Sequence, residues 1–439
     1  MNNLFIKNFG CQMNVYDASR MAALLQDALG YRQVEEPASA DLIILNTCHI
    51  REKAAEKLFS ELGRLRKNVA GRPVIFAVGG CVGQAEGELI FRRAPFVSLV
   101  FGPQNYHHLP DMLRRLEREG GRILANEEPP DSKFDALPAV TTGGPVASVV
   151  VQEGCNRFCT YCVVPFTRGR EWSRPVEAIL AEAASLLRQG AREIQLLGQN
   201  VNAYQGIDRE GIPHDLALLI QRVALLPGLE RIRFVTSHPA DMNDDLVAAF
   251  RDVEQLCPYL HLPIQSGSDR VLACMERGHS VADYLGWIER LRATVPDIAL
   301  ASDFIVGFPG ETEDDFAQTL ALAERVAFDH AYSFVFSPRP GTLAATMPDP
   351  VPPEVGARRL AVLQERLNAM QLAGNIARVG RLEPVLVEGV AKRGDGGEVT
   401  GKTPQGRTVN FPGDPSLVGR ILEVRITEGL PNSLRGKSA

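Results

Sequence analysis

No stretch of this sequence is long and apolar enough to span a bilayer. The opening MNNLFIKNFGCQMN has no apolar core of signal-peptide length. These absences lead us to expect a cytoplasmic chain whose thiols stay reduced. Charge of one sign is also missing. Against 47 Lys and Arg stand 53 Asp and Glu, a net of −6. That excludes a global basic signature for nucleic acid and confines any such partner to local patches. Bias toward disorder or a fibre is absent too: 45% of residues are apolar, 23% are charged, and mean hydropathy is near zero. Finally, no His, Asp or Glu stands in a pattern that marks an obligatory acid or base. His238, His261 and His279 are read as structural residues or neighbours of a cofactor.

Cysteine is what the chain does have. Eight cysteines in a reduced chain of 439 residues suggest metal or redox chemistry more than disulfides. Three of them, Cys155, Cys159 and Cys162, fall in GCNRFCTYC as C-x3-C-x2-C, with no fourth close behind. Iron–sulfur clusters are usually held by four thiolates, and three leave one iron open to another ligand. Zinc, the main alternative with inert thiols, normally takes a fourth protein ligand.

The length suffices for two or three domains, each with its own core. Up to about residue 135 short apolar runs alternate with helical periodicity: NLFIKNFGC, DLIILNTC and PVIFAVGGC each lead into a helix-like stretch. This pattern predicts a parallel sheet wrapped by helices. Each run ends in a cysteine (Cys11, Cys48, Cys81), and ligands of open parallel sheets sit beyond the carboxyl ends of the strands. A lone cysteine would be read as a small buried hydrophobe; three at equivalent strand ends argue for a shared ligand. Cys257 and Cys274 fit neither set and are read as structural. The segment NEEPPDSKFDALPAVTTGGP, rich in Pro and Gly, marks a boundary.

From about 146 to 375 six further β/α units follow, too few for a complete eight-stranded barrel, so an incomplete (β/α)6 barrel is expected. Polar residues gather at its strand ends: Gln199, Asn200, Ser237, His238, Gln265, Ser266, Asp303 and Ser337. From about 376 to 439 the chain turns to short alternating strands between glycine-rich turns, a small all-β barrel of OB-like size. From Arg381 onward it carries a net +2, against −8 for the rest. A nucleic-acid grip and a structural cap both fit that composition. The whole is α/β, with an all-β barrel at its end.

C-x3-C-x2-C directly after the first strand of a β/α array resembles the radical S-adenosylmethionine (SAM) superfamily. FGCQMNVYDASRM, NTCHIREKAAEKLFSELGR and VGGCVGQ resemble the N-terminal domain of its methylthiotransferases, and the last segment resembles a TRAM RNA-binding domain. Gln12-Met13-Asn14 points to the MiaB-type branch. The resemblance implies an enzyme with two 4Fe–4S clusters, one on Cys155, Cys159 and Cys162 and one on Cys11, Cys48 and Cys81. SAM would serve as methyl donor and as source of a 5′-deoxyadenosyl radical. It implies SAM contacts at Tyr161, Gln199, Asn200, Ser237, Gln265, Ser266 and Asp303. The reaction implied is methylthiolation at C2 of N6-(dimethylallyl)adenosine beside the anticodon of tRNA, a C–H bond not acidic enough for a side-chain base. Arg168 and Arg170 in TRGRE, with the basic stretch 51–72, are the expected RNA contacts. Partners would be the tRNA anticodon arm, an electron donor such as flavodoxin or ferredoxin, and a sulfur donor, with the enzyme acting as a monomer. Alternatives are methylthiolation of a threonylcarbamoyl adenosine or of a ribosomal-protein aspartate, and a non-catalytic iron–sulfur RNA-binding sensor.

Overall fold

In the computed structural model the chain packs into two compact units. The structure describes residues 2–49, 52–129, 131–135, 138, 143–391 and 397–439, without the side chains of 52–55 and 135. One unit comprises Met1–Val140, Glu153–Asn156 and Val163–Glu171; the other comprises Thr141–Gln152, Arg157–Cys162 and Trp172–Ala439. The C-x3-C-x2-C segment is thus divided, Cys155 belonging to the first unit and Cys159 and Cys162 to the second.

The first unit is a six-stranded sheet: β1 (Asn3–Phe9), β2 (Arg32–Gln33), β3 (Leu42–Thr47), β4 (Ile75–Gly79), β5 (Val97–Phe101) and β6 (Ile123–Ala125), in spatial order 2-1-3-4-5-6. Every pairing is parallel. Alternate residues of the central strands feed two cores. Leu42, Ile44, Leu99 and Phe101 pack with Met21, Leu25 and Leu113, whereas Ile43, Leu45, Val78 and Val100 pack with Leu58, Leu62 and Leu65. Helices on both faces explain why LIILNT is buried throughout. Strands β1, β3 and β4 are neighbours, and Asn8, Asn46 and Gly79 stand in register across them. Cys11, Cys48 and Cys81 lie just beyond that row, on one edge.

The second unit carries all six strands expected of the incomplete barrel: β7 (Val146–Val150), β8 (Glu193–Leu197), β9 (Arg231–Phe234), β10 (Tyr259–His261), β11 (Ala299–Val306) and β12 (His330–Val335). They form two three-stranded parallel sheets, β9-β8-β7 and β10-β11-β12. Between them an isolated parallel bridge joins Ile232 to Leu256. The chain then closes a barrel from β13 (Leu382–Val390), β14 (Glu398–Lys402), β15 (Thr408–Pro412), β16 (Ile421–Gly429) and β17 (Leu434–Ser438).

This small barrel is seated on the amino-terminal ends of the larger one's strands. Arg231 donates to Lys402 O at 2.8 Å and to Pro384 O at 2.7 Å, while Arg233 donates to Glu193 Oε1 at 3.1 Å and to Pro404 O at 3.0 Å. A Cβ on Gly406 would stand 3.3 Å from the Tyr259 ring. Arg407 pairs with Asp329 beside His330. Glu193, Arg231, Tyr259 and His330 are all first residues of their strands, so the turn at 403–407 stoppers that mouth.

Candidate active site

In the first unit, backbone conformation places the cysteines. Gly10 has φ +147, and a Cβ there would meet Cys48 Cβ at 2.4 Å; Gly80 has φ +85, and a Cβ there would meet Asn46 Oδ1 at 2.4 Å. Only glycine accepts both the conformation and the approach. An asparagine ladder sets the floor: Asn14 Nδ2 donates to Asn46 Oδ1 at 3.2 Å, and Asn46 Nδ2 donates to Asn8 Oδ1 at 3.1 Å. Asn14 Oδ1 accepts from Cys11 Sγ at 3.2 Å. A hydrogen bond with Cys48, helped by the Arg168 guanidinium, holds the thiol of exposed Cys11 down to about 6, against partial desolvation of its sulfur. Burial pushes the Cys81 thiol up, with Arg168 opposing.

The donor set fits an iron–sulfur group better than a single ion. Among the described residues, the three-donor groups within 4.8 Å consist of His107, His108 and Asp131 alone, two rings hydrogen-bonded to one carboxylate. Cys11, Cys48 and Cys81 do not close that far, whereas zinc with Zn–S near 2.3 Å would hold tetrahedral thiolates roughly 3.8 Å apart.

In the second unit, the loop bearing Cys159 and Cys162 is pinned from below. Thr160 donates from N to Met275 O at 3.1 Å and from Oγ1 to Cys274 O at 2.9 Å. Buried Arg277 donates to Cys159 Sγ at 3.4 Å and to Pro263 O at 2.7 Å. Tyr161 packs against the small core of Val271, Met275, Phe308 and Ala344. Around the strand ends lie buried polar atoms with no hydrogen-bond partner among the described residues: Asn200 Oδ1, Ser237 Oγ, His238 Nε2, His279 Nε2 and Arg277 Nε. Asn200 is fixed by Asp241, which accepts from its Nδ2 at 2.7 Å and pairs with Arg157. Burial, then Arg277 and Arg157, push His238 far below the usual histidine range, and burial and Arg277 hold His279 at about 4. Both are neutral at pH 7. His238 Nδ1 accepts from Ala240 N, so its Nε2 carries the proton; His279 Nδ1 donates to Arg277 O, so its Nε2 is a bare acceptor. Thr236 and Gln265, at φ 70 and 77, hold left-handed backbone at strand ends, a strain that marks functional sites. Free donors and acceptors around two thiols fit a zwitterionic ligand with hydroxyls, as SAM is.

Residues 149–323 match the radical SAM superfamily, residues 3–102 match a family described as uncharacterized protein family UPF0004, and residues 377–438 match the TRAM domain. The tRNA-2-methylthio-N(6)-dimethylallyladenosine synthase of Magnetococcus marinus is 62% identical over 437 residues, 100% of either chain. This chain belongs to that family. Another member, from Alkalilimnicola ehrlichii, is 52% identical over 99% of this chain and 97% of its own. The radical SAM methyltransferase TsrM from Kitasatospora setae, solved with cobalamin and a 4Fe–4S cluster, shares the fold: TM-score 0.57 at 13% identity, over 79% of this chain and 77% of that one. No helix among the described residues is long and apolar enough to cross a membrane.

Within this synthase family member, two expected contacts are placed otherwise. Arg168, expected on RNA phosphate, is buried and paired with Asp17 and Glu153; its guanidinium is not presented to solvent. Ser266 is fully buried, its hydroxyl taken by Ser268 N and Thr319 Oγ1, so it builds the wall. Gln199 and Gln265 are half-buried, and Asp303 accepts from His261 Nε2 at 3.2 Å. Arg170 is exposed. Arg51 and the side chain of Lys53, part of the basic stretch, lie outside the described residues. Burial pushes the Cys257 thiol up to about 11, which suits an inert core thiol. Arg277, Arg157 and Asp241 escaped sequence reasoning. Glycine directly before Cys11, Cys81 and Cys155 was a signal that could have been used.

Proposed function

We propose that this chain inserts sulfur and a methyl group at C2 of N6-(dimethylallyl)adenosine next to the anticodon of tRNA. The observation that carries the reading is the convergence of Cys11, Cys48 and Cys81 on neighbouring strand ends, a second three-thiol site in a chain that already has C-x3-C-x2-C. When bound, a 4Fe–4S cluster on Cys155, Cys159 and Cys162 supplies the electron that makes SAM a radical source, and a second SAM supplies the methyl group. A second cluster on Cys11, Cys48 and Cys81 is the site of sulfur. Asn200, Ser237, His238 and His279 orient SAM's polar groups, with Gln199, Gln265 and Asp303 beside them. Arg277 offsets the thiolate charge at Cys159, and Tyr161 braces the loop.

The base must be brought out of the anticodon loop, as enzymes acting on bases do. Exposed Phe158 and Phe166 offer stacking faces, and Arg170 a phosphate contact. On the small barrel, Arg425 and Lys437 stand directly opposite on β16 and β17, both exposed. Like charges across a ladder cost stability and suit a partner that brings phosphate. An external one-electron donor of flavodoxin or ferredoxin type and a sulfur donor complete turnover by a cytoplasmic monomer, its segments 1–135, 146–375 and 376–439 serving sulfur, radical and RNA roles.

The test is iron, sulfide and electron paramagnetic resonance on anaerobically reconstituted protein. Cys155→Ala/Cys159→Ala/Cys162→Ala and Cys11→Ala/Cys48→Ala/Cys81→Ala should each keep about half the wild-type iron. An N-terminal variant that loses no iron would reduce the chain to a radical SAM enzyme without a sulfur site. Mass analysis of tRNA carrying the prenylated adenosine then separates this substrate from a threonylcarbamoyl adenosine or a protein aspartate.

A further inference from the structure

Four buried charges crowd the first unit beside its cysteines. Arg168 is 3% exposed. Its Nη2 donates to Asp17 Oδ2 at 2.7 Å, across 151 residues of sequence, and its Nη1 donates to Glu153 Oε1 at 2.7 Å. Lys133, 2% exposed, donates to Glu153 Oε1 at 2.8 Å and to Pro103 O at 3.2 Å, and its Nζ stands 3.8 Å from Asp17 Oδ1. Two cations and two carboxylates cancel. Taking each ion out of water still costs several kcal/mol, and apolar residues of similar volume often stabilise a fold as well or better. Stability alone therefore explains such a row poorly.

Its position explains more. The Arg168 guanidinium lies close enough to Cys81 and Cys11 to favour both thiolates. Its helix, Val164–Arg168, packs on the helix Cys81–Glu86. The next residue, Gly169, accepts the Cys155 N–H at 3.3 Å. A Cβ on Gly154 would meet Gly169 O at 2.6 Å and Arg170 O at 2.0 Å, so these two backbone stretches run in direct contact. One dipeptide, Arg168-Gly169, thus brings its side chain near the Cys11/Cys48/Cys81 site and bonds the first cysteine of the other motif with its carbonyl.

We propose that Arg168 is a positioning residue for the Cys11, Cys48 and Cys81 site: held by Asp17 and Glu153, its guanidinium stabilises the reduced state of the iron–sulfur group bound there, while Gly169 keeps that site in register with Cys155. The proposal rests on the two-cluster reading above. Reduction adds one electron, from the external one-electron donor, to a group held by buried Cys48 and Cys81 and exposed Cys11. A fixed cation beside the site favours that extra negative charge and raises the potential. Lysine at this place keeps the charge but not the planar fork that grips two carboxylates.

The experiment is a redox titration followed by electron paramagnetic resonance in the Cys155→Ala/Cys159→Ala/Cys162→Ala background, where only the N-terminal cluster remains. Absence of iron from that parent shows failure of the two-cluster reading before any Arg168 variant is made, and the proposal falls with it. Asp17→Asn/Arg168→Gln removes one charge of each sign and strands none. With iron retained, its midpoint should fall at least tenfold in the reduction equilibrium, about 59 mV for one electron. Arg168→Lys should give a smaller fall. An unchanged midpoint in the double variant would overturn the proposal and leave the row a feature of the fold. Should the double variant not fold by circular dichroism, Arg168→Lys decides by the same rule.

Discussion

Three cysteines, Cys11, Cys81 and Cys155, each follow a glycine with left-handed backbone, at φ 147, 85 and 76. The turn that ends each run therefore depends on a missing Cβ as much as on a thiol. At Gly80 an added Cβ would meet Asn46 Oδ1 at 2.4 Å and Thr47 O at 2.9 Å. The conformation alone costs about 1–2 kcal/mol and the overlap roughly as much again. Gly80→Ala should therefore lose about 2–4 kcal/mol and the iron of the N-terminal site. Gly71→Ala, also left-handed at φ 84 but with nothing within 4 Å, should lose only the conformational part and no iron. Equal iron in the two variants, measured beside their melting temperatures, would count against this account. The six cysteines were legible in the sequence because spacing and strand ends display them. Arg168 was not: a charge reads the same whether exposed or buried, and its partner Asp17 lies far away along the chain.

At the level of elements, strands with continuous apolar runs could be read directly, and β1, β3, β4 and β7–β12 lie where the runs are. Strand β17 could not, because in Leu434–Ser438 only Leu434 and Gly436 are buried. Nor could the strained ends of β9 and β10, since Thr236 and Gln265 are not the residues that announce a positive φ. The turn at 403–407 was legible as a turn but not as a stopper, and that role has a consequence at His330. Burial, then Arg407, hold His330 at about 4, below the ordinary value near 6.5. The folded state thus binds this proton less readily than the unfolded chain. The associated stability is complete above pH 6.5 and is lost as pH falls toward 4, by up to about 3 kcal/mol. His279, at about 4, acts in the same direction and is common to both proteins compared. The melting temperature should fall more steeply between pH 6.5 and 4.5 in wild type than in His330→Gln. Parallel curves would mean that His330 is solvated in the native state.

For the whole molecule, composition left the C-terminal barrel as either a nucleic-acid grip or a structural cap, and the structure gives it surfaces for both. Seen from β8–β10, it is a cap. Without it Arg231 and Arg233 lose carbonyl acceptors at Pro384, Lys402 and Pro404, and Asp329 loses Arg407. Groups built to be buried would then face water or each other, and breaking one buried charged pair alone costs about 3–5 kcal/mol. Seen from β16 and β17, it exposes Arg425 and Lys437 side by side, with Arg425 donating to Gly380 O. The two roles can therefore be separated. A chain ending at Ile376 should melt at lower temperature and retain less iron, besides losing tRNA. Arg425→Glu/Lys437→Glu should keep melting temperature and iron while tRNA affinity falls at least about tenfold, with a shallower salt dependence because fewer phosphates are neutralised. Melting, iron content and filter binding on the three proteins decide the matter. If the truncated chain melts and holds iron like wild type, the seat at the barrel's amino-terminal mouth is incidental, and the small barrel serves RNA alone. If the double variant binds tRNA normally, the phosphate contacts lie elsewhere, with Arg170 the next residue to change.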